Sequence, residues 1–173
     1  DLAVLRFNFR GVTSPRGTSD GSFGEGIEEE KDLAAAMAFV AMRGLPAPWL
    51  VGWSFGTEVT LKYGLHHPIE GAILLSPPLH RTSADEVAAL AGADAKLVAV
   101  VPEHDDYLQP AEAAERFASV PEMELVAVEG GKHLWVGESS VRRVLDEIVG
   151  HVRPGFPLPL PTTWDGDASG TAD

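Results

Sequence analysis

Five short apolar runs punctuate this chain: residues 3–9 (Ala-Val-Leu-Arg-Phe-Asn-Phe), Trp49–Trp53, Gly71–Leu75, 97–101 and 125–128. Strands that are buried on both faces read as near-continuous apolar runs, whereas strands with one wet face alternate. The runs therefore predict five parallel strands. Between the first two, residues 27–43 open on Glu28, Glu29 and Glu30, acids that suit the positive end of a helix. The segment continues through apolar 33–40 and stops at Arg43-Gly44. Segments 55–65, 84–90, 111–119 and 141–152 read as four further helices. Alternating strand and helix define an α/β fold class, a mostly parallel sheet with helices on both faces and right-handed crossovers. With 173 residues, the chain suits one domain, which would bury roughly 70% of the unfolded surface. Residues 1–153 are assigned to it. Residues 154–161, with a proline at every second or third position, forbid helix or central strand, and 165–173 are small and polar. Together, 154–173 predict an extended or disordered tail.

Charge and cysteine content narrow the function classes. Acidic residues outnumber basic ones 26 to 13, which opposes a phosphate backbone or an anionic bilayer. Neither nucleic acid nor membrane is an expected partner. Without cysteine there is no thiolate nucleophile, disulfide framework or Cys-ligated metal. No apolar run approaches the roughly 20 residues that span a bilayer, and a cytoplasmic location is expected. Because the chain opens at Asp1 and runs directly into an apolar segment, it is expected to begin inside a longer gene product.

The most specific chemical signal is Gly52-Trp53-Ser54-Phe55-Gly56, a Gly-x-Ser-x-Gly pentapeptide between a predicted strand and a predicted helix. A serine there sits on a sharp turn with Oγ above the sheet, and the flanking glycines are expected to let strand and helix pack closely. The helix N-terminus, with the Phe55 N–H, can stabilise an oxyanion. In isolation the same residues could form a glycine-rich turn with a passive serine. Two later loops weigh against that. Past the fourth predicted strand comes Glu103-His104-Asp105-Asp106-Tyr107, and past the fifth Glu129-Gly130-Gly131-Lys132-His133-Leu134-Trp135. A carboxylate and an imidazole at the C-terminal ends of parallel strands face the same crevice as Ser54. Asp105 is the candidate orienter, with Glu103 and Asp106 as rivals, and His133 the candidate base.

With these motifs the chain resembles the α/β-hydrolase superfamily, specifically its small lidless bacterial serine hydrolases of the dienelactone hydrolase kind. The likeness covers about residues 2–152. It rests on Arg6-Phe7-Asn8-Phe9-Arg10-Gly11, on the turn at Ser54, on Leu74-Leu75-Ser76-Pro77-Pro78, on the acid loop and on the Gly-x-His loop. It implies Ser54 as nucleophile, Asp105 as acid and His133 as base. Between Leu79 and Gly92 there is room for one short helix only, which leaves no large lid. The likeness also implies that N-terminal strands precede residue 3. One of these would lie between the strands at 3–9 and 49–53, and a loop there would carry the second oxyanion donor. Residues 3–9 are then expected either one missing strand away from 49–53, roughly 10 Å, or forced against it. Trp53, Thr13 and Pro102 depart from the residues common at those places.

Other signals point elsewhere only faintly. Gly21–Gly26 lacks the spacing of a phosphate loop and reads as a flexible loop. His66-His67 suits a helix C-terminus, and His104 beside two aspartates lacks the company of a metal site. The expectation is a cofactor-independent serine hydrolase cleaving an ester, thioester or amide with a small neutral or apolar acyl group. Trp53, Leu79 and Trp135 are its candidate pocket residues and the Phe55 N–H its oxyanion donor. The alternative is a non-catalytic binding or scaffold module on the same fold.

Overall fold

The computed structural model describes residues 2–15 and 17–162 of the chain. They fall into two compact units, one up to Leu134 and one from Trp135 onward. In the first unit a small antiparallel hairpin, β1 (Thr13–Ser14) and β2 (Gly17–Thr18), precedes α1 (Glu29–Met42). Then come β3 (Trp49–Trp53), α2 (Phe55–Tyr63) with a 3-10 turn at Gly64–His66, β4 (Gly71–Leu75) and α3 (Ala84–Ala88). The unit continues with β5 (Lys96–Pro102), α4 (Pro110–Arg116) and β6 (Met123–Val128). The main sheet is β3-β4-β5-β6, all parallel. Trp49 lies opposite Gly71, Gly71 opposite Lys96, and Leu97 opposite Met123.

The apolar runs of β4 and β5 behave as their composition requires. Ala72, Leu74, Leu97, Ala99 and Val101 join Leu61 of α2, Val87 of α3 and Ala113 of α4 in one core, together with Phe117, Val120 and Met123. On the opposite sheet face Ile73, Val98 and Val100 are equally buried. α3, one short helix with a Ser83–Glu86 capping box, is all that occupies the space expected to lack a lid.

Residues 3–9 do not form the fifth strand. They carry no ladder, residues 2–8 are exposed, and Val4 keeps 79% of its surface. The segment is not paired with β3. The physical reason is the lack of a partner: an extended segment satisfies its backbone only against a neighbouring strand or water. No described residue offers that ladder. What anchors this region lies just beyond. Phe9 packs on the cluster of Leu33, Met37 and Val59, and Arg10 forks onto Asp32 of α1, with Nη2–Oδ1 at 2.9 Å and Nε–Oδ2 at 3.1 Å. That hydrogen-bonded pairing holds the Asp32 carboxyl below its ordinary range. The Gly21–Gly26 loop is tied to α1 at Gly24 and Gly26. The buried Glu29 carboxylate takes the N–H groups of Gly24 and Gly26, both at 2.8 Å.

The second unit contains α5 (Glu138–Val152). Beyond it, residues 154–162 form no helix or strand. Asp146 accepts the Leu160 N–H at 2.8 Å, and Arg142 donates to the Leu160 carbonyl at 3.0 Å. The rest of the predicted tail, 163–173, lies outside the described residues.

Candidate active site

Strand β3 delivers Ser54 into a conformation that non-glycine residues rarely adopt, φ 50° and ψ −118°. Such backbone costs on the order of 1–3 kcal/mol and persists only where its surroundings over-determine it. Here the Ser54 N–H donates to the Leu75 carbonyl at 2.9 Å. The Ser54 carbonyl accepts the Thr57 N–H at 2.9 Å and the Thr57 hydroxyl at 2.6 Å. Gly52 is required by close approach: a Cβ there would lie 2.6 Å from the Gly56 carbonyl oxygen and 2.8 Å from the Thr57 N. The two glycines of the pentapeptide are not equivalent, however. A Cβ on Gly56 would meet nothing within 4 Å, so only Gly52 serves the close packing expected of both.

The acid and base loops are stitched to each other. The His104 N–H donates to the Gly131 carbonyl at 2.9 Å, and the Glu103 carboxylate accepts the Gly130 N–H at 2.8 Å. Pro102, a departure from the usual residue before the acid, is accommodated by Gly131, whose added Cβ would be 3.2 Å from the proline Cβ. This stitching separates the rival carboxylates. Glu103 holds the neighbouring loop, and among the described residues Asp106 makes no contact with His133. Asp105 is buried, and its Oδ1 accepts the N–H groups of Tyr107 at 2.9 Å and Leu108 at 3.4 Å. Its two oxygens lie 3.1 and 3.0 Å from His133 Nδ1. His133 Nε2 in turn lies 2.8 Å from Ser54 Oγ. The structure thus brings together Ser54, His133 and Asp105, from three separate strand ends of one unit. A hydroxyl joined to an imidazole whose other nitrogen meets a buried carboxylate is an arrangement able to activate that hydroxyl as a nucleophile.

Three contacts around His133 were not legible as such. The Trp53 indole N–H donates to the His133 carbonyl at 3.1 Å, and the buried Ser76 hydroxyl donates to the same oxygen at 3.2 Å. The Tyr107 ring meets the imidazole edge to face at 4.6 Å. Trp53, expected in the pocket, is therefore also a clamp on the histidine backbone. Ser76 follows a strand in a segment noted only for likeness, with nothing in its spacing to mark it. Of the other expected pocket residues, Leu79 is buried in the main core, and Trp135 opens the second unit. Phe55 begins α2, and among the described residues no acceptor engages its N–H. Its ring packs on Phe9 and Phe23, with the Arg81 guanidinium 5.9 Å from its centre.

One turn along α2 from Ser54 sits a carboxylate with no solvent exposure, Glu58. A buried charge requires a full set of partners, and Glu58 has three donors: the N–H groups of His80 at 2.7 Å and Arg81 at 2.8 Å, and the Thr82 hydroxyl at 2.7 Å. Arg116 holds the same loop through the carbonyls of Leu79 and Thr82, at 3.2 and 3.4 Å. Among the described residues no three His, Asp or Glu side chains gather as metal ligands. His104 is exposed and lies 3.8 Å from Glu103, and His66 is 4.0 Å from Glu30.

A parallel sheet whose first paired strand turns through a strained serine into a helix, with acid and histidine on later strand ends, defines the α/β-hydrolase fold, and the chain has it. Among solved structures it is similar to an α/β serine hydrolase without lid from Xanthomonas campestris, at 27% identity and TM-score 0.70 over 88% of this chain and 67% of that one. It is also similar to an α/β serine hydrolase homologue from Coxiella burnetii, at 23% identity and TM-score 0.72 over 85% and 67%. A cold-adapted esterase from an Arctic intertidal metagenomic library aligns at 20% identity and TM-score 0.54 over 70% and 56%. The chain has the α/β-hydrolase fold. No protein-family model matches the sequence, and no curated protein does. Among the described residues no helix is long and apolar enough to cross a membrane.

Proposed function

We propose that this chain is a serine hydrolase that cleaves an ester, thioester or amide through an acyl-enzyme on Ser54. The observation that carries the reading is the continuous hydrogen-bonded line from Ser54 Oγ through His133 to Asp105. In this mechanism His133 takes the Ser54 proton as Oγ attacks the acyl carbon, then passes it to the leaving group. Water repeats the cycle to release the acid. Asp105 holds the Nδ1–H tautomer and stabilises the imidazolium. The Phe55 N–H, at the positive end of α2, donates to the developing oxyanion. The substrate expected is a small neutral or apolar acyl compound, in keeping with the half-exposed Trp53 beside the turn. No cofactor enters the reaction.

A fluorophosphonate probe tests this. Mass spectrometry of the labelled full chain should find the adduct on Ser54 alone. Ser54→Ala should abolish labelling and lower turnover on the order of 10⁶-fold. Modification of Ser76 or Ser14 with Ser54 untouched would overturn the reading.

A further inference from the structure

Beside the proton-carrying imidazole stands aromatic surface that the proposed chemistry leaves unused. The Tyr107 ring lies against His133 at 4.6 Å and 74°, and a second ring neighbour of Tyr107 is His80, at 5.1 Å and 83°. Tyr107 and His80 are both open to solvent: Tyr107 keeps 50% of its surface exposed, and His80 is exposed as well. Yet neither backbone is loose. The Tyr107 N–H is tied to Asp105 and the His80 N–H to the buried Glu58. Arg116 holds the carbonyls on either side of His80 and Arg81. An exposed ring fixed in advance by contacts behind it can hold a ligand without the ordering cost that a free side chain would incur.

Proton transfer decides what reaches this surface. For His133 Nε2 to protonate the leaving oxygen, that oxygen must come within about 3 Å of it. Whatever that oxygen carries then runs beside the imidazole, where the neighbouring side chain is Tyr107. Resting on the serine hydrolase reading, we infer that Tyr107, backed by His80, is a specificity-determining residue that favours substrates whose leaving alcohol carries a planar aromatic ring. The step balances within the site. The Oγ–acyl bond forms, the bond from acyl carbon to leaving oxygen breaks, and the Ser54 proton ends on the released alcohol. The Tyr107 hydroxyl takes no part, so the selection lies in the ring.

The experiment compares kcat/KM for benzyl acetate and cyclohexylmethyl acetate. Both share one acyl group and release primary alcohols of similar acidity, but one ring is flat and the other puckered. An aromatic pair of ordinary strength gives the benzyl ester roughly a threefold to tenfold advantage. Tyr107→Phe should keep that advantage and Tyr107→Leu should erase it. The backbone N–H to Asp105 persists in both variants. Fluorophosphonate labelling of Ser54, which expels fluoride and needs no ring, reports in parallel whether the hydroxyl is activated. Equal kcat/KM for the two esters in the unaltered chain overturns the inference, as does an advantage that survives Tyr107→Leu. With Ser54 labelled, either result leaves the hydrolase reading standing. An unaltered chain that neither labels nor turns over loses both.

Discussion

The interior and edge strands of the main sheet differ in how they are finished. Strands β4 and β5 each have a strand on either side, and all five residues of β4 are buried. Among the described residues β3 and β6 each have a neighbour on one side only, and Val51, at the centre of β3, keeps 46% of its surface. The hydroxyl group of the site stands at the end of this open strand, while Asp105 and His133 follow β5 and β6. The hydrogen-bonded line from Ser54 to Asp105 therefore joins one sealed strand, β5, to the two edge strands, β3 and β6. The difference teaches that burial of the supporting strand is not what positions Ser54. Local hydrogen bonds and the Gly52 contact at the turn do that.

The comparison can be sharpened at three levels. The largest effect is expected at the sealed end of the site, where Asp105→Asn should reduce turnover by about 10⁴-fold through loss of the correct His133 tautomer. Asp106→Asn should stay within a few-fold, because its side chain does not meet the imidazole. Steady-state kinetics on any ester substrate decides this, and equal losses would show that the buried position of Asp105 is irrelevant. Next comes stability. Ile73→Ala, at a side chain with no exposure in β4, should cost about 2–5 kcal/mol in denaturant unfolding. Val51→Ala in β3 should cost less than about 1 kcal/mol. Similar losses would remove the contrast between interior and edge strands.

The smallest effect concerns acid. Arg10 holds the Asp32 carboxyl below its ordinary range, chiefly through their side-chain hydrogen bonds. Glu28 is also lowered, first by hydrogen bonding to Lys31 and then by charge, with Arg10 contributing. A carboxylate whose folded pKa is depressed stabilises the fold above its unfolded pKa, and that contribution disappears as pH falls through the folded value. The melting temperature should therefore fall below about pH 4, and Arg10→Met should flatten that part of the curve by a few degrees at most. An unchanged acid limb would mean that the Arg10 fork does nothing for the otherwise exposed segment before it.

What could be read from the chain beforehand follows the same division. The runs at 71–75 and 97–101 announced buried parallel strands because two covered faces leave a continuous apolar signature. The run at 3–9 carries the same signature and forms no strand. Apolar character records a need for cover, and pairing depends on a second strand that the pattern of the run itself does not specify. Ser54, Asp105 and His133 were legible because each follows a predicted strand and the chemistry demands those side-chain types. Trp53 on the His133 carbonyl, Ser76 beside it and Glu58 beneath the 80–82 loop were not. Their roles are hydrogen bonds to backbone groups, and a backbone partner leaves no mark in the sequence. The difference between Gly52 and Gly56 was hidden for the same reason, since it depends on which Cβ position faces an oppositely placed carbonyl.

Glu58 has one more consequence. It sits a single turn after Ser54, which caps the same short helix, so the Ser54 hydroxyl and the loop bearing His80 share one rigid frame of reference. If the helix slides or tilts, both are carried together, and the error in their separation stays smaller than the error in either position. Breathing of β3 can thus be tolerated while the ruler between Ser54 and the neighbouring loop keeps its length. Replacing the loop's exposed side chains would change what is measured without changing the ruler.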